Sequence, residues 1–292
     1  MKKRITLLAL CLAAALLLTS CGRVGEWLLD LRRERSYTVT FDANGGEGEM
    51  EDRQIQNGSG SIPVCTFTRE GYECLAWSLD AEGTDFFRGV SNLTLLLPMS
   101  VKNGDTVRLY ANWSTPGFEV DEETFAYFAN ASLISYTGTA EEVVLPVWYH
   151  DRHIQDVAEG LLRDHTEITA VKRISFHDLS AEMFYGCTAL RRVEIEQGNS
   201  IYRIGDRAFY GCASLEELEL TGNLESIGDE AFYGCTGIER LVIPAYLDEL
   251  GADAFYGWTA EQTIVFTRYS ENPFGEAAFR GCEATILWGA EK

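Results

Sequence analysis

The four histidines of the chain lie close together in the sequence, and imidazole is a side chain that binds metal ions and transfers protons. They are His150, His153, His165 and His177. The string His150-Asp151-Arg152-His153 supplies two imidazoles, which is half of a metal site. A complete site needs a third ligand and neighbouring groups that orient the imidazoles. We therefore interpret the histidines as polar loop residues and predict no metal, no cofactor and no catalytic residue.

Motifs that carry other kinds of catalysis are missing from the sequence. There is no glycine-rich phosphate loop, no Gly-x-Ser-x-Gly and no His-Glu-x-x-His. Acidic pairs such as Glu216-Glu217 fall at positions where a repeat is expected to face solvent. We predict that the protein is not an enzyme, and a metal-dependent hydrolase with its site near the histidines is the least favoured alternative.

The eight cysteines fall into separate groups. Four occupy the same position of a repeat, and Trp258 takes that position in one further copy: Cys187, Cys212, Cys235 and Cys282. Metal ligands must converge on one point, and a column of residues one repeat apart does not, so buried small side chains explain this column better. Cys65 and Cys74 are nine residues apart and could pair in an oxidising compartment, which the sequence leaves open.

The elements that would position these residues form a repeat with a period of 23 to 25 residues. Its most regular phrase is Phe-Tyr-Gly-Cys, at Phe184, Phe209 and Phe232, with variants at Phe255 and Phe279. A fixed period of this length is typical of a leucine-rich solenoid, in which each unit must stack on its neighbours to bury its apolar face.

Three apolar positions follow each Cys, and the last two are two residues apart, which is the spacing of one face of a strand. In the second unit they are Leu215, Leu218 and Leu220. The stretch from Ile227 to Phe232, Ile-Gly-Asp-Glu-Ala-Phe, predicts a short helical turn that begins with Gly and Asp. Each unit is therefore expected to contain one strand, a loop, a short helix and a tight glycine turn.

This pattern resembles the BspA-like leucine-rich repeats, whose units read Ile-Gly-x-x-Ala-Phe-x-x-Cys-x-x-Leu-x-x-Ile-x-Ile-Pro. Residues 227–244 match it almost position by position. The resemblance extends over roughly residues 120–289, and we predict a solenoid with an N-terminal cap over residues 120–292. It implies a non-catalytic surface protein that binds other proteins or adheres to them.

The first 20 residues are typical of a bacterial lipoprotein signal peptide. A basic start, Met1-Lys2-Lys3-Arg4, precedes an apolar stretch that is too short to span a membrane. It ends in Leu18-Thr19-Ser20-Cys21, which resembles a lipobox and predicts lipid attachment at Cys21. Residues 21–36 would then tether the protein to the outer face of a bacterial membrane, since two or more acyl chains hold a protein firmly.

Residues 37–113 predict a separate small domain. Their first motif, Tyr37-Thr38-Val39-Thr40-Phe41, alternates like a strand and leads into Asp-Ala-Asn-Gly-Gly. Together with Arg69-Glu70-Gly71-Tyr72 and the terminal Leu109-Tyr110-Ala111-Asn112-Trp113, it resembles the Listeria–Bacteroides repeat, which implies a small β-grasp-like fold used as a spacer. Residues 114–119 would be a linker. The predicted fold class is α+β, with this domain followed by the solenoid.

The chain is strongly acidic, with a formal net charge of −21. Removal of the first 20 residues would remove three positive charges and leave −24. Such a surface repels nucleic acid and anionic lipid. We therefore predict no nucleic-acid partner and contact with a membrane only through the N-terminal lipid.

A solenoid exposes one extended sheet, and the positions between its buried residues face a partner. We predict that this sheet face binds an extracellular protein or glycan without turnover, and that Val242 and Val265 form its apolar centre. An alternative is a glycan-capture protein of a surface uptake system, which would require exposed aromatic residues on the face. The predicted partner-binding residues are Arg192, Glu194, Glu217, Glu219, Arg240, Val242, Thr263 and Val265.

Overall fold

The structure is a computed structural model of the 292-residue chain. It describes residues 36–56, 62–81, 86–87, 101–121, 124–125, 128–149, 152–196, 198–220 and 222–289. The proposed signal peptide, Cys21, nearly all of the tether and His150 lie outside these ranges. The larger of two compact units comprises residues 41–50, 63–89 and 109–292, and the smaller contains the first part of the first strand and all of the second.

The N-terminal part forms a five-stranded sheet in the order β2-β1-β5-β3-β4. All the strand pairs for which a register is given are antiparallel. The predicted turn after the first strand is present, since Asn44 and Gly45 both have positive φ. Trp113 closes this turn, because its Nε1 donates hydrogen bonds to the carbonyls of Ala43 and Asn44. The strands are β1 (Ser36–Asp42), β2 (Arg53–Gln56), β3 (Glu73–Ser78), β4 (Phe86–Phe87) and β5 (Thr106–Ser114).

A second sheet follows and leads into the solenoid. Its order is β10-β11-β8-β6, with β7 paired to β8. The pair of β8 and β11 is parallel, which is the arrangement of successive coils, whereas the other pairs are antiparallel. The strands are β6 (Phe118–Asp121), β7 (Thr124–Phe125), β8 (Phe128–Tyr136), β10 (Trp148–Tyr149) and β11 (Arg152–Val157).

The repeats form three parallel sheets of short strands. One face carries two of them, β16-β14-β12-β9 and β18-β20-β21, and another face carries β13-β15-β17-β19. The first face consists of β9 (Glu142–Val144), β12 (Ala170–Ile174), β14 (Arg192–Ile195), β16 (Glu217–Leu218), β18 (Arg240–Ile243), β20 (Thr263–Phe266) and β21 (Thr285–Trp288). The other consists of β13 (Asp178–Leu179), β15 (Arg203–Ile204), β17 (Ser226–Ile227) and β19 (Glu249–Leu250). The predicted stacking of repeats is confirmed.

The prediction of a short helix in each unit, and with it the α+β fold class, is wrong. Within the described residues the helical structure is one 3₁₀ turn, Ala277–Phe279, and none of their helices has the length and apolar character needed to span a bilayer. The described part of the chain is almost entirely β-structure, so the repeats form a β-solenoid.

The hydrogen bonds of the turn segments show why an α-helix does not form. Between Arg207 and Cys212, alternate N–H groups donate to the next coil: Arg207 to Asp229, Phe209 to Ala231 and Gly211 to Tyr233. The intervening N–H groups donate three residues back, as Tyr210 does to Arg207. An α-helix would need every N–H to donate four residues back. Because stacking uses half of these donors, the segment becomes a ladder of turns, with Arg207 at φ 56°.

The core consists of the predicted columns. The rings of Phe184, Phe209, Phe232 and Phe255 are fully buried and stack at centroid distances of 5.0 to 5.8 Å. Cys187, Cys212 and Cys235 are buried beside them, and each thiol donates a hydrogen bond to a carbonyl of the preceding coil at 2.9 to 3.0 Å. Burial raises the pKa of Cys187 to about 12, so its thiol remains protonated and able to donate.

Candidate protein-binding face

The sheet face holds the predicted partner-binding residues in two groups. Arg192 of β14 lies opposite Glu217 of β16 in the parallel register. On the other sheet Arg240 lies opposite Thr263, and Val242 lies opposite Val265: these pairs come from β18 and β20. Glu194 belongs to the first group through β14, and Glu219 follows directly after β16. The structure therefore places the eight residues on neighbouring strands of the repeats, or directly after one, but not in one continuous sheet.

The two groups are separated by a break in the hydrogen-bonded sheet. Within the described residues β16 is the edge of one sheet and β18 is the edge of the next. The two coils are in contact just before these strands, because a Cβ added to Gly237 would lie 2.7 Å from the Leu215 carbonyl oxygen. Beyond this contact the described residues of the two strands are not paired, so each presents an unpaired strand edge toward the gap.

A groove follows the break, and we call it the split groove. It consists of two overlapping depressions, of about 730 Å³ and about 420 Å³, that share Leu218, Glu219, Leu220 and Arg240. The residues that line it include Arg192, Glu194, Glu217, Leu218, Glu219, Leu220, Arg240, Val242 and Pro244. Its size is in the range of ordinary ligand pockets, although it is open to solvent along its length.

The floor of the split groove is apolar. Leu218 and Leu220 occupy positions whose counterparts Leu241 and Ile243 are fully buried, yet both remain half-buried. The difference arises because, among the described strands, β16 has no partner on this side. The sequence pattern predicted Leu218 and Leu220 as core residues and therefore missed their contribution to the surface. Partly exposed apolar side chains grouped in this way are typical of protein-interaction surfaces.

Charged side chains surround this floor. Arg192 is 2.8 Å from a carboxylate oxygen of Glu194 and 3.9 Å from one of Glu217. Glu219 and Arg240 are exposed, and Arg240 makes no ion pair within the described part of the chain. The walls of the groove therefore offer carboxylates on one side and a free guanidinium on the other.

Val265 does not belong to the binding surface. Its side chain is completely buried, whereas the prediction placed it at the apolar centre of the exposed face. It lies on the central strand β20, flanked in register by Val242 and Leu287. Val242 is half-buried and lines the groove, so the apolar contribution of the face comes from Val242 together with Leu218 and Leu220.

The described histidines make separate local contacts. His153 meets the ring of Trp148 edge-on at a centroid distance of 4.8 Å, and Nδ1 of His177 lies 3.0 Å from the Ser200 carbonyl oxygen. His165 lies 2.7 Å from the Glu167 carboxylate, which lowers the pKa of Glu167. Among residues that the structure describes, no group of three His, Cys, Asp or Glu side chains is arranged to hold a metal ion.

Four tyrosines form a ladder along the turns of the solenoid, a feature that the sequence pattern did not predict. Tyr185, Tyr210, Tyr233 and Tyr256 stack at centroid distances of 4.5 to 4.8 Å. Arg163 covers the free face of Tyr185 at 4.4 Å, and Gly281 packs against Tyr256. Because neighbours cover the faces of the rings, the ladder does not offer the open aromatic platform that glycan stacking requires, and the split groove is lined by no aromatic residue among those described.

The stacked parallel coils and their buried Phe and Cys columns define a leucine-rich-repeat solenoid. Residues 166–286 match the family described as BspA type Leucine rich repeat region in six copies, and residues 37–111 match the Listeria-Bacteroides repeat domain. Both are typical of bacterial surface proteins. BspA-type repeat proteins are generally non-catalytic and typically serve as protein-interaction modules.

Solved leucine-rich-repeat proteins are similar to part of the chain. The leucine-rich repeat protein of T. pallidum is 25% identical over 52% of this chain and 71% of its own, with a TM-score of 0.47. That of Bacteroides ovatus ATCC 8483 is 18% identical over 59% of this chain, with a TM-score of 0.46, and the match spans about half of its own length (52%). A leucine-rich cell surface protein from Faecalibacterium prausnitzii A2-165 is 19% identical over 51% of this chain and 54% of its own, with a TM-score of 0.34. No curated protein matches the chain.

Proposed function

We propose that this protein is a non-catalytic binding module of the bacterial cell surface, and that the split groove holds a segment of a partner protein. The observation that carries the proposal is the break between β16 and β18, which leaves apolar side chains and two strand edges open on an otherwise regular sheet. An unpaired strand edge can accept an extended peptide through main-chain hydrogen bonds, and neighbouring pockets then select its side chains.

The chemistry of the groove supports a partner segment that combines apolar and charged residues. Leu218, Leu220 and Val242 would contact one or two apolar side chains. Glu217 and Glu219 would face basic groups, and Arg240 would face a carboxylate. Charges at the rim of an interface mainly accelerate association and select the correct partner, whereas the buried apolar contacts supply most of the affinity.

The N-terminal sequence supports a location on the outer face of a bacterial membrane. In this proposal Cys21 carries the lipid and residues 37–113 act as a spacer. The solenoid would then adhere to a host matrix protein or to a neighbouring bacterium. The strongly acidic character of the chain would keep the groove away from anionic headgroups.

A pull-down with the chain from residue 22 onward, from host matrix and from neighbouring bacteria, tests this proposal. The test variant is Arg240→Glu with Val242→Glu, which reverses the free charge and places a charge on the apolar side of the groove. We expect captured partners to be lost, with the melting temperature of the variant lowered by no more than about 4 °C.

The matched control is Arg203→Glu, which makes the same charge reversal on β15 of the other face, where Arg203 pairs with Asp178. It should retain the partners. Equal capture by the groove variant and the wild-type chain, with both folded, would contradict the assignment of the groove.

A further inference from the structure

The segment from Pro63 to Phe67 lies beside strand β3 of the N-terminal sheet. Trp77 holds one end of it, because its Nε1 donates a hydrogen bond of 3.1 Å to the Pro63 carbonyl. The ring of Phe67 meets the ring of Trp77 edge-on at a centroid distance of 6.0 Å. Trp77 and Phe67 are both buried, so this attachment is part of the core.

A tight turn holds the other end. The N–H of Tyr72 donates to the Arg69 carbonyl at 3.1 Å, and Gly71 adopts φ 76°, a conformation that glycine tolerates best. The turn reverses the chain, so the residues before Arg69 and those after Tyr72 run back alongside each other. Cys65 lies on one arm and Cys74 on the other, between the turn and the Trp77 contact. Each thiol shifts the pKa of the other, which agrees with the closeness that this turn imposes on the two arms.

The sheet is irregular beside Cys74. The register of β3 against β5 shifts between Cys74 and Ala76, which pair with Trp113 and Asn112. A bulge of this kind re-aims the side chain beside it. The thiol of Cys74 lies 3.5 Å from the carbonyl oxygen of Ala76, and both cysteines are only half-buried. A small oxidant can therefore reach them.

We propose that Cys65 and Cys74 form an intramolecular disulfide when the protein meets a disulfide oxidant such as glutathione disulfide. The two thiols would lose two electrons and two protons, and one glutathione disulfide would be reduced to two glutathione thiols. The disulfide would link the Pro63–Phe67 segment to β3 and would close a loop of ten residues.

The order of the exchange follows from the two environments. The neighbouring Cys74 thiol lowers the pKa of Cys65, whereas Cys65 and burial raise the pKa of Cys74. The Cys65 thiolate attacks one sulfur of glutathione disulfide and releases a glutathione thiolate. Cys74 then loses its proton and attacks the Cys65 sulfur of the mixed disulfide, which releases the second glutathione.

The cysteine column of the solenoid provides an internal contrast. Cys187, Cys212 and Cys235 are fully buried, and each donates to a carbonyl of the preceding coil. Burial raises the pKa of all three thiols, so they are poor nucleophiles. They should remain reduced under the same conditions.

Peptide mapping of the full chain tests the proposal directly. The chain is equilibrated with reduced and oxidised glutathione, blocked with iodoacetamide in urea and cleaved with trypsin. Cleavage after Arg69 places the two cysteines on separate peptides, 54–69 and 70–88, which only a disulfide would hold together. We expect these peptides as one linked species that separates on reduction, and alkylated peptides for the solenoid cysteines.

A second measurement separates the disulfide from other effects of reduction. We expect a reductant to lower the melting temperature of the oxidised wild-type chain by about 5 °C or more. The double variant Cys65→Ser with Cys74→Ser should melt at the same temperature with and without reductant. Alkylation of both cysteines after glutathione treatment, or their linkage to glutathione or to any other cysteine, would overturn the proposal.

Discussion

The indole Nε1 of Trp258 donates a hydrogen bond of 2.9 Å to the backbone carbonyl of Phe232. One coil earlier the thiol of Cys235 donates to the carbonyl of Phe209 at 3.0 Å, from the same repeat position. The column therefore holds a buried hydrogen-bond donor in each of these coils, and Trp replaces Cys because it also has a donor. Cys is preferred to an apolar residue at this position because each of these coils presents a backbone carbonyl to which a side chain of the next coil can donate.

Removal of this donor is the first prediction. In Trp258→Phe the Phe232 carbonyl stays buried and keeps only the hydrogen bond from the Cys235 N–H, so the free energy of unfolding should fall by about 0.5 to 1.5 kcal/mol. Urea unfolding of the purified chain measures this. The control is Trp288→Phe, because Trp288 stacks on Phe266 at 4.4 Å and is only half-buried in the last described coil. Equal losses in the two variants would contradict a role for the hydrogen bond.

The second prediction concerns the glycines that let neighbouring coils approach. A Cβ on Gly228 would lie 2.6 Å from the Asp206 backbone nitrogen and 2.8 Å from the Gly205 carbonyl carbon. Because backbone atoms cannot move aside cheaply, Gly228→Ala should cost about 1 to 3 kcal/mol of unfolding free energy. Gly222→Ala is the matched control, since nothing lies within 4 Å of its added Cβ. A Gly228→Ala variant as stable as the control would show that the coils can separate freely.

The third prediction is a pH dependence at Glu196, which lies 3.9 Å from the guanidinium of Arg173. Burial raises the pKa of Glu196, and Arg173 offsets only part of this effect. The folded state therefore binds a proton more readily than the unfolded state, so stability falls as the pH rises from the ordinary carboxyl pKa through the raised one. Relative to Glu196→Gln, the wild-type chain should gain stability as the pH is lowered through this interval.

Urea titrations of the wild-type chain and Glu196→Gln between pH 4 and pH 7 check this sign. Arg173→Met should increase the difference, because it removes the opposing charge. Arg173 also donates hydrogen bonds to the Asn112 side chain and to the Trp113 carbonyl. The stability of Arg173→Met is therefore compared with that of the double variant Arg173→Met with Glu196→Gln. A difference that shrinks on acidification would contradict the raised pKa.

The sequence predicts the columns of the solenoid because they depend on each residue's position within a repeat. Phe209 and Cys212 are buried where the period places them. The sequence does not predict the conformation of the turn segments. Ile227 to Phe232 has the composition of a helix start, but its donors are used by the adjacent coil, as the Phe232 N–H is by Ala254. Contacts one repeat away decide this, and local propensity does not include them.

The sequence pattern also does not predict the break between β16 and β18. Leu218 and Leu220 have the same spacing as Leu241 and Ile243, and nothing in that spacing indicates that β16 and β18 are unpaired. The sequence therefore indicates the face on which a partner is expected, whereas the groove itself depends on the pairing of neighbouring coils. The mistaken choice of Val265 has the same origin, because alternation along β20 does not show which neighbours cover it.

The fourth prediction distinguishes the two valines that the pattern treats alike. Val265 is completely buried, so Val265→Glu would place a carboxylate in the core without a partner, and the free energy of unfolding should fall by about 3 kcal/mol or more. Val242 is half-buried in the split groove, where a carboxylate can reach water, so Val242→Glu should cost about 1 kcal/mol or less. Urea unfolding at pH 7 gives both values.

At pH 4 the stability loss of Val265→Glu should decrease, because the buried carboxyl group can become neutral. If both variants lost the same stability at pH 7, Val242 would be as buried as Val265 and the groove would have no apolar floor at this position.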